Sequence, residues 1–183
     1  SVGLTSAAIL SKGTIAQKER WALDLMTLDK VGSWAITEPG SGSDAFGGMK
    51  STARRDGDGY VLSGSKTFIT NGPYADTIVF ICRLDEGNPV DERKTVSFVL
   101  DRGMPGLVQS KPLRKMGLHS SPTGALFLED LPAGRDVEEP ALDGDEVQRR
   151  EAVEESTEDQ VHEAAHVVHE QCRRERRERA RNL

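Results

Sequence analysis

The chain has 183 residues and a formal net charge of -6, with 30% charged and 36% hydrophobic residues. This length suits one domain, or one domain followed by a tail. The negative charge argues against nonspecific nucleic-acid binding, and no apolar run approaches the roughly 18 residues of a membrane-spanning helix.

The N-terminal part carries helix signals. Thr14 and Gln17 have the spacing of a capping box, in which each residue binds the backbone N–H of the other. An approximate helical stripe of apolar residues follows, formed by Ile15, Trp21, Leu25, Met26 and Leu28. We therefore predict a helix over about 15–28, with Gly13 separating it from an earlier helix that ends near Ser11.

From Ser33 onward the pattern is typical of strands. Apolar and β-branched runs predict strands at 33–37, 50–55, 60–69, 77–84, 95–100 and 125–128. Asp56-Gly57-Asp58-Gly59 predicts a hairpin turn between the second and third of these. Seven or so short strands favour a mainly β fold, either a compact barrel or a sandwich, flanked by helices.

Composition changes near residue 135. All aromatic residues precede this point, whereas residues 136–183 are dominated by Glu, Arg, Asp and His. We predict a charged tail over 136–183 that is helical or disordered. Cys82 and Cys172 lie on opposite sides of the boundary, which does not suggest a disulfide framework, and Cys82 is predicted to be a buried free thiol. The start of the chain lacks the basic flank of a signal peptide, so a cytoplasmic location is expected.

Two segments carry chemistry. The first is the eleven-residue run Trp34 to Asp44, in which a short apolar strand enters a turn of Pro, Gly and Ser. Glycines let a backbone approach a ligand closely, and the neighbouring hydroxyl and N–H groups can bind oxyanions. The second is Lys66-Thr67-Phe68-Ile69-Thr70-Asn71-Gly72, which places an aromatic ring and a hydroxyl at another strand end. Either segment alone is compatible with an ordinary loop or strand end.

Four segments in order resemble the acyl-CoA dehydrogenase family. They are Gly13 to Trp21, Ile36 to Asp44, Gly64 to Gly72, and Lys115-Met116-Gly117 followed by Ser121-Pro122-Thr123. The resemblance covers about three quarters of the chain. It implies the end of an N-terminal helical domain over 1–30, a barrel-like middle β-domain of the acyl-CoA dehydrogenase type over 31–135, and the charged tail over 136–183.

The resemblance also implies FAD as cofactor and assigns the site. Phe68 would pack against the isoalloxazine ring, Thr70 would lie near N5, and Thr37 with the backbone around Ile36 would contact the pyrimidine edge. Ser43 would contact the acyl-CoA substrate. The complete set of expected cofactor-binding residues is Trp34, Ile36, Thr37, Gly42, Ser43, Phe68, Ile69 and Thr70.

The implied reaction is α,β-dehydrogenation of an acyl-CoA thioester, with hydride transfer to FAD N5. The implied acceptor of electrons is an electron-transfer flavoprotein, and full-length members of the family form homo-oligomers. The catalytic Glu of the family belongs to a C-terminal helical domain, which nothing after Arg135 resembles. No catalytic residue is therefore assigned, Glu38 is not expected to act as the base, and the chain alone is expected to be inactive.

Two alternatives come from other functional classes. The first is a noncatalytic β-domain whose helical tail acts in assembly or binding. The second is a zinc hydrolase, because His162-Glu163-Ala164-Ala165-His166 matches the His-Glu-x-x-His pattern, with His169 and Cys172 nearby. The solvated charge around this motif favours fortuitous similarity, so no metal site is expected.

Overall fold

The computed structural model of the chain describes residues 1–134, which fold as N-terminal helices followed by a seven-stranded sheet. The sheet curls into a half-barrel, which confirms the prediction of a mainly β, barrel-like fold with an N-terminal helix. The boundaries proposed at residues 30 and 135 remain a prediction. The charged tail lies outside the described residues. Within residues 1–134, no helix is long and apolar enough to cross a membrane.

The N-terminal helices form where the capping and apolar patterns predict them. The Thr14 hydroxyl accepts a hydrogen bond from the Gln17 N–H (3.3 Å), and the Gln17 side chain accepts one from the Thr14 N–H (2.9 Å), so the capping box is confirmed. The helix that begins here contains one π-helical turn. The helical segments are α1 (Val2–Lys12), α2 (Ile15–Gln17), a π-helical turn (Lys18–Ala22) and α3 (Leu23–Met26).

The strands confirm five of the predicted segments closely and extend a sixth. They are β1 (Gly32–Ala35), β2 (Thr52–Asp56), β3 (Gly59–Thr70), β4 (Thr77–Asp85), β5 (Thr95–Asp101), β6 (Leu107–Gln109) and β7 (Thr123–Ala133). A short 3-10 helix, Val90–Glu92, precedes β5. The β6 strand was not predicted, and β7 continues well past residue 128, because both depend on pairing with distant strands rather than on local pattern.

Strand β4 lies at the centre of the sheet. It pairs with antiparallel β5 along one edge, and along the other edge it pairs in parallel first with β1 and then with β2. The sheet continues from β2 through β3 and β7 to β6. This arrangement brings the end of β1 beside β3, which is the strand that carries the second motif.

The two faces of β4 bury two separate cores, because successive side chains of a strand point to opposite faces. Phe80 and Cys82 point into the interior of the half-barrel, together with residues of β5 and β7 such as Phe98 and Leu126. On the other face, Val79 and Ile81 pack with the helices through Ile9, Trp21 and Leu25. The sequence of β4 is accordingly an almost continuous apolar run rather than an alternating one.

Candidate functional site

The two motifs that the sequence analysis singled out meet in the structure. The Thr67 N–H of β3 donates a 2.9 Å hydrogen bond to the Thr37 carbonyl, just past the end of β1. Phe68 follows Thr67 directly, so this bond places the turn that begins at Thr37 next to the aromatic residue of the second motif. The predicted neighbours therefore lie side by side at one edge of the half-barrel.

Lys66 joins the same two segments from inside the protein. Its side chain is fully buried on the inward-facing side of β3, beside the ring of Phe80. The ammonium donates a 2.8 Å hydrogen bond to Glu38 Oε1 and a 3.1 Å bond to the Ile36 carbonyl. It also lies 5.1 Å from the centre of the Phe80 ring, a favourable distance for a cation–π contact.

Glu38 completes the buried ion pair. Besides the Lys66 ammonium, its carboxylate accepts hydrogen bonds from the backbone N–H groups of Lys50 (2.7 Å) and Ser51 (3.0 Å). Burial by itself raises the pKa of Glu38, but the hydrogen bonds from Lys66 and the two backbone groups outweigh it, and the net pKa is lowered. Glu38 is therefore ionised and joins the turn to Lys66 and to the backbone at Lys50 and Ser51.

The close approach of β3 to Ser51 requires glycine at position 64. A Cβ built on Gly64 would lie 2.2 Å from Ser51 Oγ and 2.8 Å from Ser51 Cα, and the φ of Gly64 is +154°. A side chain at position 64 would displace the segment whose N–H groups hold the Glu38 carboxylate. Gly64 thus allows the backbone arrangement on which the ion pair depends.

Phe68 lies on a bulge of β3. The register with β7 shifts between Lys66 and Ile69, where β3 contains one residue more than its partner. Phe68 takes a φ of +56°, which is unusual for a bulky residue, and its side chain is 66% exposed. Backbone strain of this kind clusters at functional sites, because a ligand or a fixed geometry must justify its cost.

The two predicted threonines lie near Phe68: Thr70 follows it two residues later in β3, and the Thr37 carbonyl is bonded to the N–H of Thr67. Thr37 is half-buried and Thr70 is exposed. Within residues 1–134 neither hydroxyl has a hydrogen-bond partner, so both are available to a ligand. The Thr70 backbone is fixed instead, because its carbonyl accepts a bond from the Ser1 hydroxyl (3.1 Å).

The three remaining apolar residues of the expected site point into the protein. The Ile69 side chain is buried in the core of the half-barrel, while Trp34 and Ile36 pack partly buried against the helical core. Ile69 can therefore contact a ring at the edge only through its backbone. The Ile36 carbonyl already accepts a bond from Lys66.

The glycine-rich turn begins with a small bridge between Glu38 and Ser41. Each of these residues donates its N–H to the carbonyl of the other, at 2.9 and 3.1 Å, and the Ser41 hydroxyl binds the Asp44 carbonyl. Gly42 and Ser43 follow on the exposed surface. A Cβ added at Gly42 would meet no atom within 4 Å, so no packing inside residues 1–134 demands glycine there. The open space above this turn is available to a ligand.

The fourth motif supports the same edge. Asn71 has a φ of +64°, and its N–H donates a 2.7 Å hydrogen bond to the Pro122 carbonyl. The Lys115 ammonium donates to Thr123 Oγ1 at 3.1 Å and to the Ser121 carbonyl. The Asn71 side chain also donates to the Gly32 carbonyl at the start of β1 (3.2 Å). These contacts fix the end of β3 immediately after Thr70.

No other chemistry competes for this edge among the described residues. Cys82 is a free thiol, as predicted, and burial raises its pKa to about 12. Within residues 1–134, no group of His, Cys, Asp and Glu side chains could hold a metal ion. The His162–His166 pattern with His169 and Cys172 lies outside the described residues.

The motif around Lys66 does not by itself indicate a role for its side chain. One signal could have revealed it: Lys66 has the same strand parity as the buried Leu62, so a cation falls on an apolar face. A buried ammonium requires a charged or polar partner, and the motif from Ile36 to Asp44 offers two carboxylates, Glu38 and Asp44. Both residues of the pair therefore belong to the motifs, but the sequence does not show that they contact each other.

The arrangement fits a planar group with a polar edge. It offers an exposed aromatic face at Phe68, an open glycine turn at Gly42, and hydroxyls at Thr37 and Thr70 that have no partner among residues 1–134. Aromatic rings stack on flat faces, while hydroxyls hydrogen-bond to ring nitrogen and oxygen atoms. A flavin ring has this combination of a flat face and a polar edge.

Comparisons with known proteins agree with this geometry. The family model described as acyl-CoA dehydrogenase, middle domain, matches residues 33–131. The chain is 38% identical over 136 residues to a short-chain specific acyl-CoA dehydrogenase of Bos taurus, and 37% identical over 122 residues to the isovaleryl-CoA dehydrogenase of Pongo abelii. These matches cover 73% and 67% of this chain, but only 32% and 29% of the relatives.

Solved structures show the same partial likeness. The butyryl-CoA dehydrogenase of Megasphaera elsdenii is similar with a TM-score of 0.69 and 33% identity, over 76% of this chain and 36% of that one. A glutaryl-CoA dehydrogenase of Mycobacterium smegmatis, solved in complex with FADH2, is similar with a TM-score of 0.67 and 31% identity, over 76% of this chain and 34% of the other. The chain thus spans about a third of the length of the proteins it matches.

Proposed function

The chain belongs to the acyl-CoA dehydrogenase family, and from this premise we propose that its β-domain holds the flavin ring of FAD in an enzyme that dehydrogenates an acyl-CoA thioester. When bound, FAD supplies the acceptor for a hydride from the carbon β to the thioester, while the α-carbon loses a proton and a carbon–carbon double bond forms. The residues of this chain bind and orient the ring.

One observation carries the proposal: Phe68 is exposed on a strained bulge between the threonines that the family resemblance assigns to the ring. An exposed aromatic side chain at φ +56° has no role in either core of residues 1–134. In the proposed site it packs against the flat face of the isoalloxazine. The strain is then offset when the ring covers the side chain.

Hydrogen bonding orients the ring in its plane. The Thr37 hydroxyl lies at the turn that would face the pyrimidine edge, and Thr70 lies beyond Phe68, where the resemblance implies N5. Each hydroxyl can donate to a ring atom, because neither has a partner within residues 1–134. Donors that are fixed before the reaction stabilise charge that develops on a ring as it accepts electrons.

Substrate and partners follow from the same family. We propose that Ser43, exposed in the glycine-rich turn, contacts the acyl-CoA. We further propose an electron-transfer flavoprotein as the acceptor and a homo-oligomer as the working assembly. We assign no catalytic base within residues 1–134, because the carboxylate of the flavin turn, Glu38, is buried and paired with Lys66.

Titration of FAD into the 183-residue chain, followed by flavin fluorescence, tests the proposal. The double variant Thr37→Ala/Thr70→Ala should bind FAD about 5- to 150-fold more weakly, since each neutral hydrogen bond contributes roughly 0.5–1.5 kcal/mol. A matched control, Thr52→Ala/Thr95→Ala, changes two partly buried threonines of β2 and β5 and should leave the affinity unchanged.

Failure of the unmodified chain to bind FAD would contradict the proposed function and favour a noncatalytic binding domain. Equal affinity of the unmodified chain and the Thr37→Ala/Thr70→Ala variant would contradict the assignment of these two residues. The circular dichroism of each variant shows whether the sheet is intact.

A further inference from the structure

We propose that Lys66 and Glu38 are positioning residues of the flavin site, and that their buried ion pair sets the spacing between Thr37 and Phe68. This inference rests on the proposed function. Neither residue needs to touch the ring, because both act through the backbone segments that they join.

Three hydrogen bonds hold Thr37 and its two chain neighbours. The Lys66 ammonium donates a 3.1 Å hydrogen bond to the carbonyl of Ile36, which precedes Thr37. It donates a 2.8 Å bond to the carboxylate of Glu38, which follows Thr37. The Thr37 carbonyl itself accepts the Thr67 N–H at 2.9 Å. All three contacts come from residues 66 and 67, immediately before Phe68.

Backbone groups also hold the Glu38 carboxylate in place. Glu38 also accepts hydrogen bonds from the N–H groups of Lys50 and Ser51, and Gly64 leaves room for Ser51 to lie against β3. The turn therefore has one arrangement relative to the bulge. Changing the position of the ammonium shifts Thr37 and Phe68 relative to each other.

Stability alone does not account for this pair. Replacing a buried ion pair with apolar residues of similar volume is often neutral or stabilising, because both charges lose their hydration when they are buried. A polar pair in such a place can instead fix one arrangement of the chain. A displacement of about 1 Å can cost on the order of 100-fold in rate at a catalytic site. We expect the contacts of a bound ring to depend in the same way on the spacing between Thr37 and Phe68.

The test removes the pair without leaving an unpaired charge. In the double variant Lys66→Met/Glu38→Met, two flexible apolar side chains of similar length occupy the buried space. We expect this variant to fold with an unfolding midpoint in urea below that of the unmodified chain, because the N–H groups of Lys50 and Ser51 lose their acceptor, and we expect an FAD affinity lowered at least about 10-fold. We also expect a changed visible circular dichroism of the bound flavin, which reports the asymmetry of its surroundings.

The matched control removes an ion pair that is exposed. Lys30 and Asp24 form a 2.7 Å pair near the end of α3, with side chains 41% and 39% exposed. The variant Lys30→Met/Asp24→Asn should change neither the FAD affinity nor the flavin spectrum.

The outcomes separate this inference from the proposed function. If the unmodified chain binds no FAD, both the proposed function and the positioning role are wrong. If it binds FAD and the folded Lys66→Met/Glu38→Met variant binds it equally well with the same spectrum, the positioning role is wrong while the proposed function stands. If that variant does not fold, Glu38→Asp decides: it keeps the charge but shortens the side chain by one methylene, and an FAD affinity unchanged from the parent overturns the inference.

Discussion

Lys66 and Glu38 are separated by 28 positions in the chain, yet the Lys66 ammonium lies 2.8 Å from the Glu38 carboxylate, with exposed side-chain fractions of 0% and 5%. Burial lowers the pKa of Lys66, and the carboxylate opposes that effect by favouring the charged ammonium. The pair connects the end of β1 to β3, so its loss should be felt in the whole edge that carries the candidate site.

Removing only one partner should destabilise the protein strongly. In Lys66→Met the Glu38 carboxylate remains buried with two backbone donors but no counter-charge, and the expected loss is about 3–5 kcal/mol of unfolding free energy. Urea unfolding followed by the fluorescence of Trp21 and Trp34 measures it. The matched change Lys30→Met breaks an exposed pair and should cost less than about 1 kcal/mol. Equal losses of unfolding free energy in the two variants would show that the buried pair stabilises the protein no more than the exposed pair does.

Stability should fall in acid through Glu38. Because its pKa in the folded state is lowered below the ordinary value of 4.5, the folded chain binds fewer protons at Glu38 than the unfolded chain. The stabilisation from Glu38 is thus complete above that ordinary value and is lost as the pH falls through the folded pKa. Unfolding free energies from about pH 7 to about pH 3 should show this decrease, and Lys66→Met/Glu38→Met should show less of it. Parallel pH profiles would contradict the assignment.

Replacing Phe68 with glycine should leave the unfolding free energy unchanged or raise it. Phe68→Gly removes the strain of φ +56°, roughly 1–3 kcal/mol, and adds about 0.5–1 kcal/mol of backbone entropy loss, so the unfolding free energy should be unchanged or higher. FAD affinity should fall in the same variant. Phe127→Gly provides the control, because Phe127 is also exposed but lies within β7 with no positive φ, and this change should destabilise the protein. A clear loss of stability in Phe68→Gly would show that the bulge is not strained.

Cys82 should be chemically inert in the folded protein. Its side chain is fully buried in the core, and its pKa is raised to about 12 by burial, with a smaller opposing effect of the Lys66 charge. The thiolate is the reactive form, so very little is present near pH 8. In a Cys172→Ser background, an aromatic disulfide reagent should react with Cys82 only after denaturant is added. Rapid labelling of the native protein would mean that the β4 core opens readily.

Local patterns in the sequence determined several features correctly. The capping box at Thr14 and Gln17, the hairpin turn at Asp56–Gly59 and the apolar run of β4 depend on residues close together in the chain, and all three are confirmed. The four family motifs likewise identified the acyl-CoA dehydrogenase family, because such motifs preserve the types of residue that a site needs. The site roles of Phe68 and the two threonines remain predictions until FAD binding is measured.

Tertiary structure alone decided the arrangement of the edge. The three-residue β6 exists because Leu107–Gln109 pairs with β7, and β7 continues to Ala133 because β3 lies beside it. The bulge at Phe68 arises from a register shift between those strands, and the contact between Lys66 and Glu38 requires the path of β1 past β3. The sequence determines which groups are able to pair. The free energy of burying a charge or of closing a long loop depends on which distant strands lie together, and that is a property of the tertiary structure.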